Sequence, residues 1–427
     1  MTPSDPATAS TTASSSAVQG PLAPVVMKFG GSSVADLERL RAVARRVVER
    51  AAVQPTVVVV SAMGKTTNAL LAQARALADP PPARELDMLL STGEREAMTL
   101  LAIAIHALGG RAISLTGSQC GIITDHQHGR ARIMEVRPFR ILDELAAGNI
   151  VIVGGFQGVS YKREVTTLGR GGSDSTAVAL AAALTADCEI YSDVDGVYSA
   201  DPHEVPEARR IPEISYETMQ ALARAGARVL HTQAVQLAEE RGIAIYTRHT
   251  RPEHTGETVI RRNPAVVPGV LAVTSDPAIA ALRLSLVPGR PHRTPEIAAA
   301  LGPLGLRSLH VDDRGATGIV SWTQRTEAAA ILDRIGTLAR RLGKDLHELR
   351  CDDGLAQVSC IGVGLEDRPE IVARACELLR CAGVEVSQLS TDTRALAFVV
   401  PGHQRVTAVR TLHAALIERA KPDRAAC

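Results

Sequence analysis

The fold class can be inferred from three neighbouring segments: NIVIVGGFQG (149–158), TTLGRGGSDSTAVALAAAL (166–184) and DCEIYSDVDGVYSADP (187–202). The β-branched run Ile150–Val153 predicts a strand buried on both faces. The glycine-rich loop Gly169–Asp174 then leads directly into a predicted apolar helix, Ser175–Leu184, and such a loop directs free backbone N–H groups towards an anion. A second predicted strand, Glu189–Ser192, ends in the acidic turn Asp193–Gly196. Open α/β sheets build small-molecule sites from this order of elements, at the carboxyl ends of their strands.

A second unit of strand, glycine loop and helix lies near the start of the chain. Val25–Phe29 predicts a short strand, Gly30–Ser33 a tight turn and Asp36–Arg50 a helix. Val57–Val60 predicts a further buried strand. Because short helices alternate with apolar strands, we expect a mostly parallel sheet that helices cover on both faces.

These residues resemble the aspartokinases, a family of the amino-acid kinase superfamily. The central stretch carries the similarity together with KFGGSSV (Lys28–Val34), SAMG (Ser61–Gly64) and STGER (Ser91–Arg95), which follow one another in the family's order. The resemblance is close over about Val25–Arg248 and architectural beyond Asn263. It implies a three-layer α/β/α kinase domain, followed by two ferredoxin-like ACT units of order βαββα.

The composition excludes several classes of partner. A chain of 427 residues is too long for one compact core, so we expect two or three domains. The net charge is +1 and aromatic residues make up only 2%, which argues against nucleic acid or an anionic membrane surface as a partner. The seven cysteines include no CxxC pair and suit reduced cytosolic thiols. No apolar run approaches the roughly 18 residues that a membrane span needs.

Residues 1–23 are mainly Ser, Thr, Ala and Pro, with Asp5 the single charged side chain. They lack the basic start and apolar centre of a secretory signal, and the arginines of a transit peptide. We expect a disordered tail. A start codon assigned too far upstream explains the segment equally well.

Lys28 is one of five lysines in a chain whose other basic residues are nearly all arginines. This rarity indicates that a compact point charge is wanted at the end of the first strand, although a surface lysine is the alternative. The resemblance implies that Lys28 neutralises the transferring phosphoryl group and that Asp174 lies near it. A helix N-cap is the alternative role for Asp174.

The resemblance also implies two sets of binding residues. The nucleotide set is Lys28, Phe29, Gly30, Gly31, Ser32, Ser192, Asp193, Tyr198, Ser199, Ala200, Asp201, Pro202, His203 and Arg228. The substrate set is Ser61, Thr66, Glu94, Arg170, Gly171, Gly172 and Ser173. Glu94 would meet the ammonium group of an amino acid, and the planar fork of Arg170 would hold its carboxylate. An ordinary helix-start glutamate is the alternative for Glu94, and Arg228 stands where the family has a lysine.

Two further predictions concern the region between these motifs. Arg84–Leu108 predicts a helix that is interrupted near Ser91–Gly93. Thr116–Arg130 predicts a polar loop that contains His126 and His128. Because no carboxylate or thiolate stands at ligand spacing from these histidines, we expect them to be solvated, and we expect no protein-bound metal.

The chain beyond residue 262 contains an internal repeat with a period of about 74 residues. In each copy the first helix begins with Pro-Glu-Ile, at Pro295 and Pro369, where proline suits the first helical position. The predicted strands are Ala280–Leu286, Leu306–Val311, Gly318–Trp322, Ala356–Val363, Val384–Leu389 and Ala395–Val400, and the predicted helices are Pro295–Leu301, Thr326–Leu342, Pro369–Ala382 and Gln404–Arg419. We therefore predict a catalytic domain at 24–262 and ACT-like units at 263–350 and 351–427.

The resemblance implies that these units sense an amino-acid effector, lysine or threonine, while a role in oligomerisation alone is the alternative. Thr294–Glu296 and Arg368–Glu370 replace the family's Pro-Gly, and Leu309–Asp313 replaces its asparagine-bearing strand. We therefore expect feedback control to be altered or lost. The resemblance also implies a cytoplasmic homo-oligomer, a dimer or larger.

The implied reaction transfers the γ-phosphoryl group of ATP, which carries Mg²⁺, to the β-carboxylate of L-aspartate, as a first step towards lysine, threonine and methionine. A carboxyl group with a pKa of about 4 is already ionised at pH 7, so the lack of an evident Ser/His/Asp or Cys/His set is expected. One alternative is a kinase for a related carboxylate such as glutamate, which the doubled repeat disfavours. The other is a catalytically silent amino-acid sensor, which the presence of Lys28, Glu94, Arg170 and Asp174 disfavours.

Overall fold

The computed structural model describes residues 23–227, 229–265, 268–288, 293–302, 306–321 and 325–418. The first half contains β1 Val25–Phe29, α1 Leu37–Ala51, β2 Thr56–Val60, α2 Thr66–Leu77, α3 Ala83–Ala107, β3 Ala112–Leu115, β4 Ile122–Thr124, β5 Ile133–Val136, α4 Phe139–Ala146, β6 Ile150–Gly154, β7 Gln157–Ser160, β8 Val165–Thr167, α5 Gly172–Leu184, β9 Asp187–Ser192, β10 Glu213–Ile214, α6 Tyr216–Arg224, α7 Thr232–Arg241, β11 Ile245–His249 and β12 Glu257–Ile260. The second half contains β13 Gly269–Leu286, α8 Thr294–Leu301, β14 Ser308–Asp312, β15 Gly315–Ser321, α9 Arg325–Leu342, β16 Leu346–Val363, α10 Pro369–Cys381, β17 Gln388–Asp392, β18 Ala395–Pro401 and α11 Arg405–His413. Within these ranges no helix combines the length and the apolar character needed to cross a membrane.

An eight-stranded sheet in the order β10-β12-β11-β9-β1-β2-β6-β3 forms the centre of the first half. Its six strands from β11 to β3 are parallel, and β12 runs antiparallel to β11. The valine and isoleucine runs of β2 and β6 are buried throughout, because α1 and α3 pack on one face of the sheet and α4, α5, α6 and α7 on the other. This three-layer α/β/α arrangement with a mostly parallel sheet confirms the predicted fold class.

A smaller sheet, in the order β5-β4-β7-β8, lies beside the site-bearing loops. Its strand β4 falls inside Thr116–Arg130, so the prediction of a loop throughout that range is wrong. Ile123 and its neighbours form a strand because they pair with β5 on one side and β7 on the other. The last strand, β8, ends at Thr167, immediately before the glycine-rich loop.

Helix α3 runs unbroken for 25 residues, so the predicted interruption near Ser91–Gly93 is wrong. Gly93 lies in the helix interior, where a side chain would place its Cβ 2.9 Å from the Cβ of Ala62 and 3.4 Å from Cγ2 of Thr66. The glycine therefore serves close packing of α3 against the loop that follows β2, rather than a break in the helix.

A six-stranded antiparallel sheet, β14-β15-β13-β16-β18-β17, forms the centre of the second half. β13 and β16 contain 18 residues each and pair along most of their length, so they extend well beyond the predicted Ala280–Leu286 and Ala356–Val363. The first part of β13, up to Asp276, pairs with one edge of β16, and β18 pairs with the other edge of β16. The second part of β13 pairs with β16 on one edge and with β15 on the other. The two repeat copies therefore share one sheet, in which the first part of β13 lies beside the second part of β16 and the first part of β16 lies beside the second part of β13.

Smaller differences also separate prediction and structure. The strand predicted at Val384–Leu389 lies at Gln388–Asp392, and the one predicted at Leu306–Val311 lies at Ser308–Asp312. The last predicted helix, Gln404–Arg419, is α11 followed by a π-helical turn at Ala414–Glu418. Trp322, the last residue of a predicted strand, lies outside the described residues.

The two halves share a core where the segment after β9 meets the second repeat copy. Ala200 and Val205 belong to the apolar cluster that contains Val358 and Phe398. The backbone N–H of Val273 in β13 donates to the carbonyl of Ser199, at 2.7 Å. A segment that the sequence assigns to nucleotide binding is thus built into the fold of the second copy.

Candidate active site

The site lies where the chain leaves the central strand β1 in two directions. In sequence order the chain passes first to β2 on one side and returns later to β9 on the other, which makes the carboxyl end of β1 a topological switch point. The loops that follow β1, β2 and β6 are tied together by backbone hydrogen bonds, from Ser61 N to the Phe29 carbonyl at 3.1 Å and from Gly155 N to the Val60 carbonyl at 3.0 Å. Their residues therefore face one shared crevice.

Lys28 and Asp174 meet at this switch point. The ammonium Nζ lies 2.6 Å from Oδ1 of Asp174, and 12% of each side chain is exposed. Lys28 is the penultimate residue of β1, and Asp174 lies in the first turn of α5, whose N-cap is Gly171. The alternative of an N-cap role for Asp174 is therefore wrong. The pair fixes one positive charge at the mouth of the crevice.

The glycine-rich loop takes a conformation that side chains would strain. Gly169 and Gly171 have φ angles of 76° and 73°, in the left-handed region that favours glycine. At Gly171 a Cβ would also overlap Cβ of His231. Ser173 packs against Gly155, since a Cβ there would lie 2.8 Å from the Ser173 hydroxyl. The loop thus places the start of α5 beside Gly155, and the side chain of Arg170 is exposed.

Glu94 is buried at 3% exposure within α3. Its Oε1 accepts a hydrogen bond from Ala62 N at 3.1 Å, and its Oε2, also buried, has no hydrogen-bond partner among the described residues. Burial raises the pKa of Glu94 to about 7, and the hydrogen bond from Ala62 opposes that shift. Because α3 begins eleven residues earlier, at Ala83, the alternative of a helix-start glutamate is wrong. A buried carboxylate oxygen of this kind is suited to an incoming cation.

The other side of the crevice opens into a cavity of about 610 Å³. Gly30 N donates to the carbonyl of Tyr191 at 3.3 Å, so the glycine turn after β1 borders the segment that begins at Ser192. Residues from the predicted nucleotide set line the cavity: Ser192, Asp193, Tyr198, Ala200, Asp201, Pro202 and His203. Its outer wall belongs to the second half of the chain and includes Thr274 and Arg405.

The chain is similar in sequence to known proteins over both halves. Residues 23–248 match the amino acid kinase family and residues 358–416 match the ACT domain. The aspartokinase of Mycolicibacterium smegmatis is 41% identical over 406 residues, which cover 92% of this chain and 96% of that protein. The aspartokinase of Geobacillus stearothermophilus is 41% identical over 403 residues, with the same two shares covered.

The chain belongs to the aspartokinase family. A solved family structure, E. coli aspartokinase III in complex with aspartate and ADP, superposes with a TM-score of 0.79 at 25% sequence identity. The similarity covers 91% of this chain and 99% of that one. It extends over both halves, so the family's arrangement of kinase fold and C-terminal ACT region holds here as well.

The structure places seven residues of the predicted nucleotide set around the cavity and pairs Lys28 with Asp174, and it directs other predicted side chains elsewhere. The Phe29 side chain is buried and stacks on Tyr191, with ring centroids 4.8 Å apart, so Phe29 can offer only its backbone. The Ser199 hydroxyl is buried against His413, 2.9 Å from its Nε2, and accepts a hydrogen bond from Arg209 N. Ser32 is exposed, and Arg228 lies outside the described residues.

Two side chains near the site, those of His231 and Asp87, were not predicted from the sequence to have a role there. His231, at the N-cap of α7, packs on Gly171; burial lowers its pKa, Asp174 opposes the shift and Arg170 adds to it. His128 is bound to the buried carboxylate of Asp87, 2.7 Å from its Oδ2, so the expectation that His128 is solvated is wrong, whereas His126 is exposed as expected. Asp87 could have been found as an acidic residue on the apolar stripe of α3, seven positions before Glu94.

Proposed function

We propose that the chain transfers the γ-phosphoryl group of MgATP to the β-carboxylate of L-aspartate, which gives 4-phospho-L-aspartate and ADP. The observation that carries this proposal is the Lys28–Asp174 pair at 2.6 Å, at the junction between the two sides of the crevice. One side holds the buried carboxylate of Glu94, and the other is the cavity of about 610 Å³. Membership of the aspartokinase family supports both the reaction and its acceptor.

Phosphoryl transfer requires the protein mainly to position the two substrates and to stabilise the negative charge on the transferring group. The β-carboxylate oxygen attacks the γ-phosphorus, the bond from that phosphorus to the bridging oxygen breaks, and ADP leaves with the electron pair. The attacking carboxylate is already ionised, so no general base is needed. Lys28 would stabilise the charge on the transferring group, and Asp174 would hold its ammonium in place. A Mg²⁺ ion bound to the nucleotide phosphates would neutralise their charge, and we assign no protein ligands to it.

The remaining residues divide between the two partners of the reaction. Oε2 of Glu94 would accept the α-ammonium group of aspartate, and Arg170 would form a bidentate pair with a carboxylate. Ser61, Thr66, Gly171, Gly172 and Ser173 complete the substrate side of the proposal. On the nucleotide side, Gly31 would offer its backbone N–H group to a phosphate. Only glycine fits there, because a Cβ on Gly31 would lie 2.7 Å from the Ala62 carbonyl, and Gly30 would complete the turn.

We propose that the second half of the chain senses an amino-acid effector. We propose the domain limits 24–262, 263–350 and 351–427, with lysine or threonine as the effector class and with feedback altered by the loop replacements described above. We also propose a cytoplasmic homo-oligomer. The described cysteines are free thiols, which suits a reducing compartment. Inhibition of turnover by lysine or threonine at low millimolar concentration would show that feedback is retained.

Trapping of the acyl phosphate tests the reaction directly. Purified protein is incubated with MgATP, hydroxylamine and, in separate reactions, L-aspartate, L-glutamate or no amino acid. We expect hydroxamate with aspartate only. Hydroxamate with glutamate alone would replace the substrate, and no product from correctly folded protein would favour a silent sensor.

A further inference from the structure

Asp87 is a fully buried carboxylate on the same helix as Glu94. It is 0% exposed, and the seven-residue spacing places both side chains on one stripe of α3, about two turns apart. Oδ1 of Asp87 accepts hydrogen bonds from the Thr167 hydroxyl at 2.5 Å and from Gly129 N at 3.0 Å. Oδ2 lies 2.7 Å from Nδ1 of His128. Every strong contact of this carboxylate is therefore to residues outside its own helix.

These contacts surround the entrance to the glycine-rich loop. Thr167 ends β8, three residues before Arg170. The Thr167 carbonyl accepts a hydrogen bond from Ala131 N at 2.9 Å, and a Cβ on Gly169 would lie 3.1 Å from the Gly129 carbonyl. The segment from His128 to Ala131 thus packs along the loop entrance. Asp87 connects this segment and Thr167 to α3 through its hydrogen bonds.

The loop is only partly held by its own contacts, because a single turn hydrogen bond, from Gly172 N to the Gly169 carbonyl at 3.0 Å, closes over Arg170. Gly169 and Gly171 flank that residue, and glycine leaves the backbone free to take many conformations. The two ends therefore contribute to the loop geometry: on one side the Thr167 contact with Asp87 and the hydrogen bond from Leu168 N to the Phe156 carbonyl at 2.9 Å, and on the other the start of α5. A buried carboxylate is costly unless it is fully paired, so Asp87 represents a strong and specific anchor rather than ordinary core packing.

We propose that Asp87 is a positioning residue that sets the distance between Glu94 and Arg170, and so determines the affinity for the amino-acid substrate. Glu94 and Asp87 lie on one rigid helix, and Asp87 holds the strand end that leads to Arg170. The inference rests on the proposed function insofar as the ligand is L-aspartate. It concerns binding rather than the phosphoryl step, so a binding measurement can test it separately from turnover.

The sharpest test removes the Thr167 hydroxyl without changing the shape of its side chain. Thr167→Val loses the hydrogen bond to Asp87, whereas Thr167→Ser keeps it, and both are compared with Asp87→Asn. Titration calorimetry gives the dissociation constants for L-aspartate and, separately, for an unreactive MgATP analogue. We expect Thr167→Val and Asp87→Asn to weaken aspartate binding by about tenfold or more, since loss of a charge-assisted hydrogen bond to Arg170 costs about tenfold to a hundredfold in affinity. Nucleotide binding should change less than twofold, and Thr167→Ser should restore aspartate affinity.

A matched control lies on the same helix. Glu85 is exposed, two residues before Asp87, so Glu85→Gln makes a comparable charge-to-amide change and should leave both affinities unchanged. A double variant identifies the route: in an Arg170→Ala background, Asp87→Asn should add less than a twofold loss of aspartate affinity. A purely structural Asp87 would lower the melting temperature and leave the aspartate affinity of folded Thr167→Val intact, which would overturn the proposal.

The hydroxamate assay separates this inference from the proposed reaction. If the wild-type protein binds aspartate, and Thr167→Val weakens that binding without hydroxamate formation by either protein, the positioning role stands and the reaction fails. If the wild-type protein forms hydroxamate and Thr167→Val binds aspartate normally, the reaction stands and the positioning role fails. Absence of aspartate binding to the wild-type protein would overturn both.

Discussion

The two sides of the active site are held by different parts of the chain. On the substrate side, Glu94 lies on α3 and Asp87 anchors the glycine-rich loop from the same helix. On the nucleotide side, Glu204 forms a bidentate pair with Arg405 of α11, at 2.7 and 2.8 Å, and the Ser199 hydroxyl meets the fully buried His413. The substrate side is braced within the first half of the chain, and the nucleotide side by the second repeat copy.

This difference indicates how a sensor could act on catalysis. A movement of α11 or β13 would displace the segment 198–205 directly, because that segment shares hydrogen bonds and an apolar core with both. Among the described residues, none of the second half contacts the carboxylate of Glu94 or of Asp87. We therefore expect any effector of the repeat copies to change the affinity for nucleotide more than the affinity for aspartate, which inhibition kinetics against each substrate would measure.

Loss of Lys28 should have the largest effect, because that residue serves both sides at once. We expect Lys28→Met to lower kcat by about a hundredfold to a thousandfold, the range found when a preorganised charge partner of a transition state is removed. Both KM values should change little, and rapid-quench single turnovers measure the step. Lys162→Met is the control, since Lys162 is exposed in the turn after β7. Full turnover by folded Lys28→Met would contradict the assigned role.

Because of Glu94, the KM for aspartate should depend on pH, whereas the KM for ATP should not. The pKa of Glu94 is raised to about 7 by burial, and only the ionised form can pair with an ammonium group. The KM for aspartate should therefore rise as pH falls below about 7, by up to tenfold per unit, and level off above it. Glu94→Gln should remove this dependence and raise the KM at pH 8 by about tenfold to a hundredfold.

The control for this pH profile is Glu96→Gln, because Glu96 is exposed on the opposite face of α3. Its KM should follow the wild-type curve at every pH. The KM for ATP should stay flat in all three proteins. A Glu94→Gln variant that kept the wild-type pH profile for aspartate would assign the titration to another group.

Arg405 should matter to the nucleotide side alone. Arg405→Leu removes the bidentate pair with Glu204 and the hydrogen bond to the Ser275 hydroxyl, and it leaves Glu204 without its partner beside the cavity. We expect the KM for ATP to rise by about threefold to tenfold, in line with the loss of a half-buried charge-assisted pair. The KM for aspartate should not change. Arg380→Leu, which breaks an exposed pair with Glu377, is the matched control.

The sequence allowed the Lys28–Asp174 pair to be predicted because the motifs that carry the two residues are local. Lys28 lies near the end of a strand, Asp174 lies in the first turn of a helix, and the parallel-sheet topology brings these ends together. The predicted break in α3 was wrong because a glycine can either interrupt a helix or allow another segment to pack closely against it. At Gly93 only the packing partner, Ala62, shows that close packing is the reason. The bracing of the two sides could not be predicted. Ser199 and His413 are 214 residues apart, and nothing near either of them in the sequence indicates the contact.

Ser199→Ala should change the kinetics least among these variants. The hydroxyl lies between Nε2 of His413 and Arg209 N, so its loss leaves the buried Nε2 of His413 unpaired and should cost about 1–3 kcal/mol of unfolding free energy. Because the Val273–Ser199 backbone hydrogen bond remains, we expect the KM for ATP to rise by no more than about twofold to threefold. Thermal unfolding and steady-state kinetics measure the two quantities. If stability falls while the KM for aspartate rises instead, the second repeat copy braces the substrate side too, and the division between the two sides is wrong.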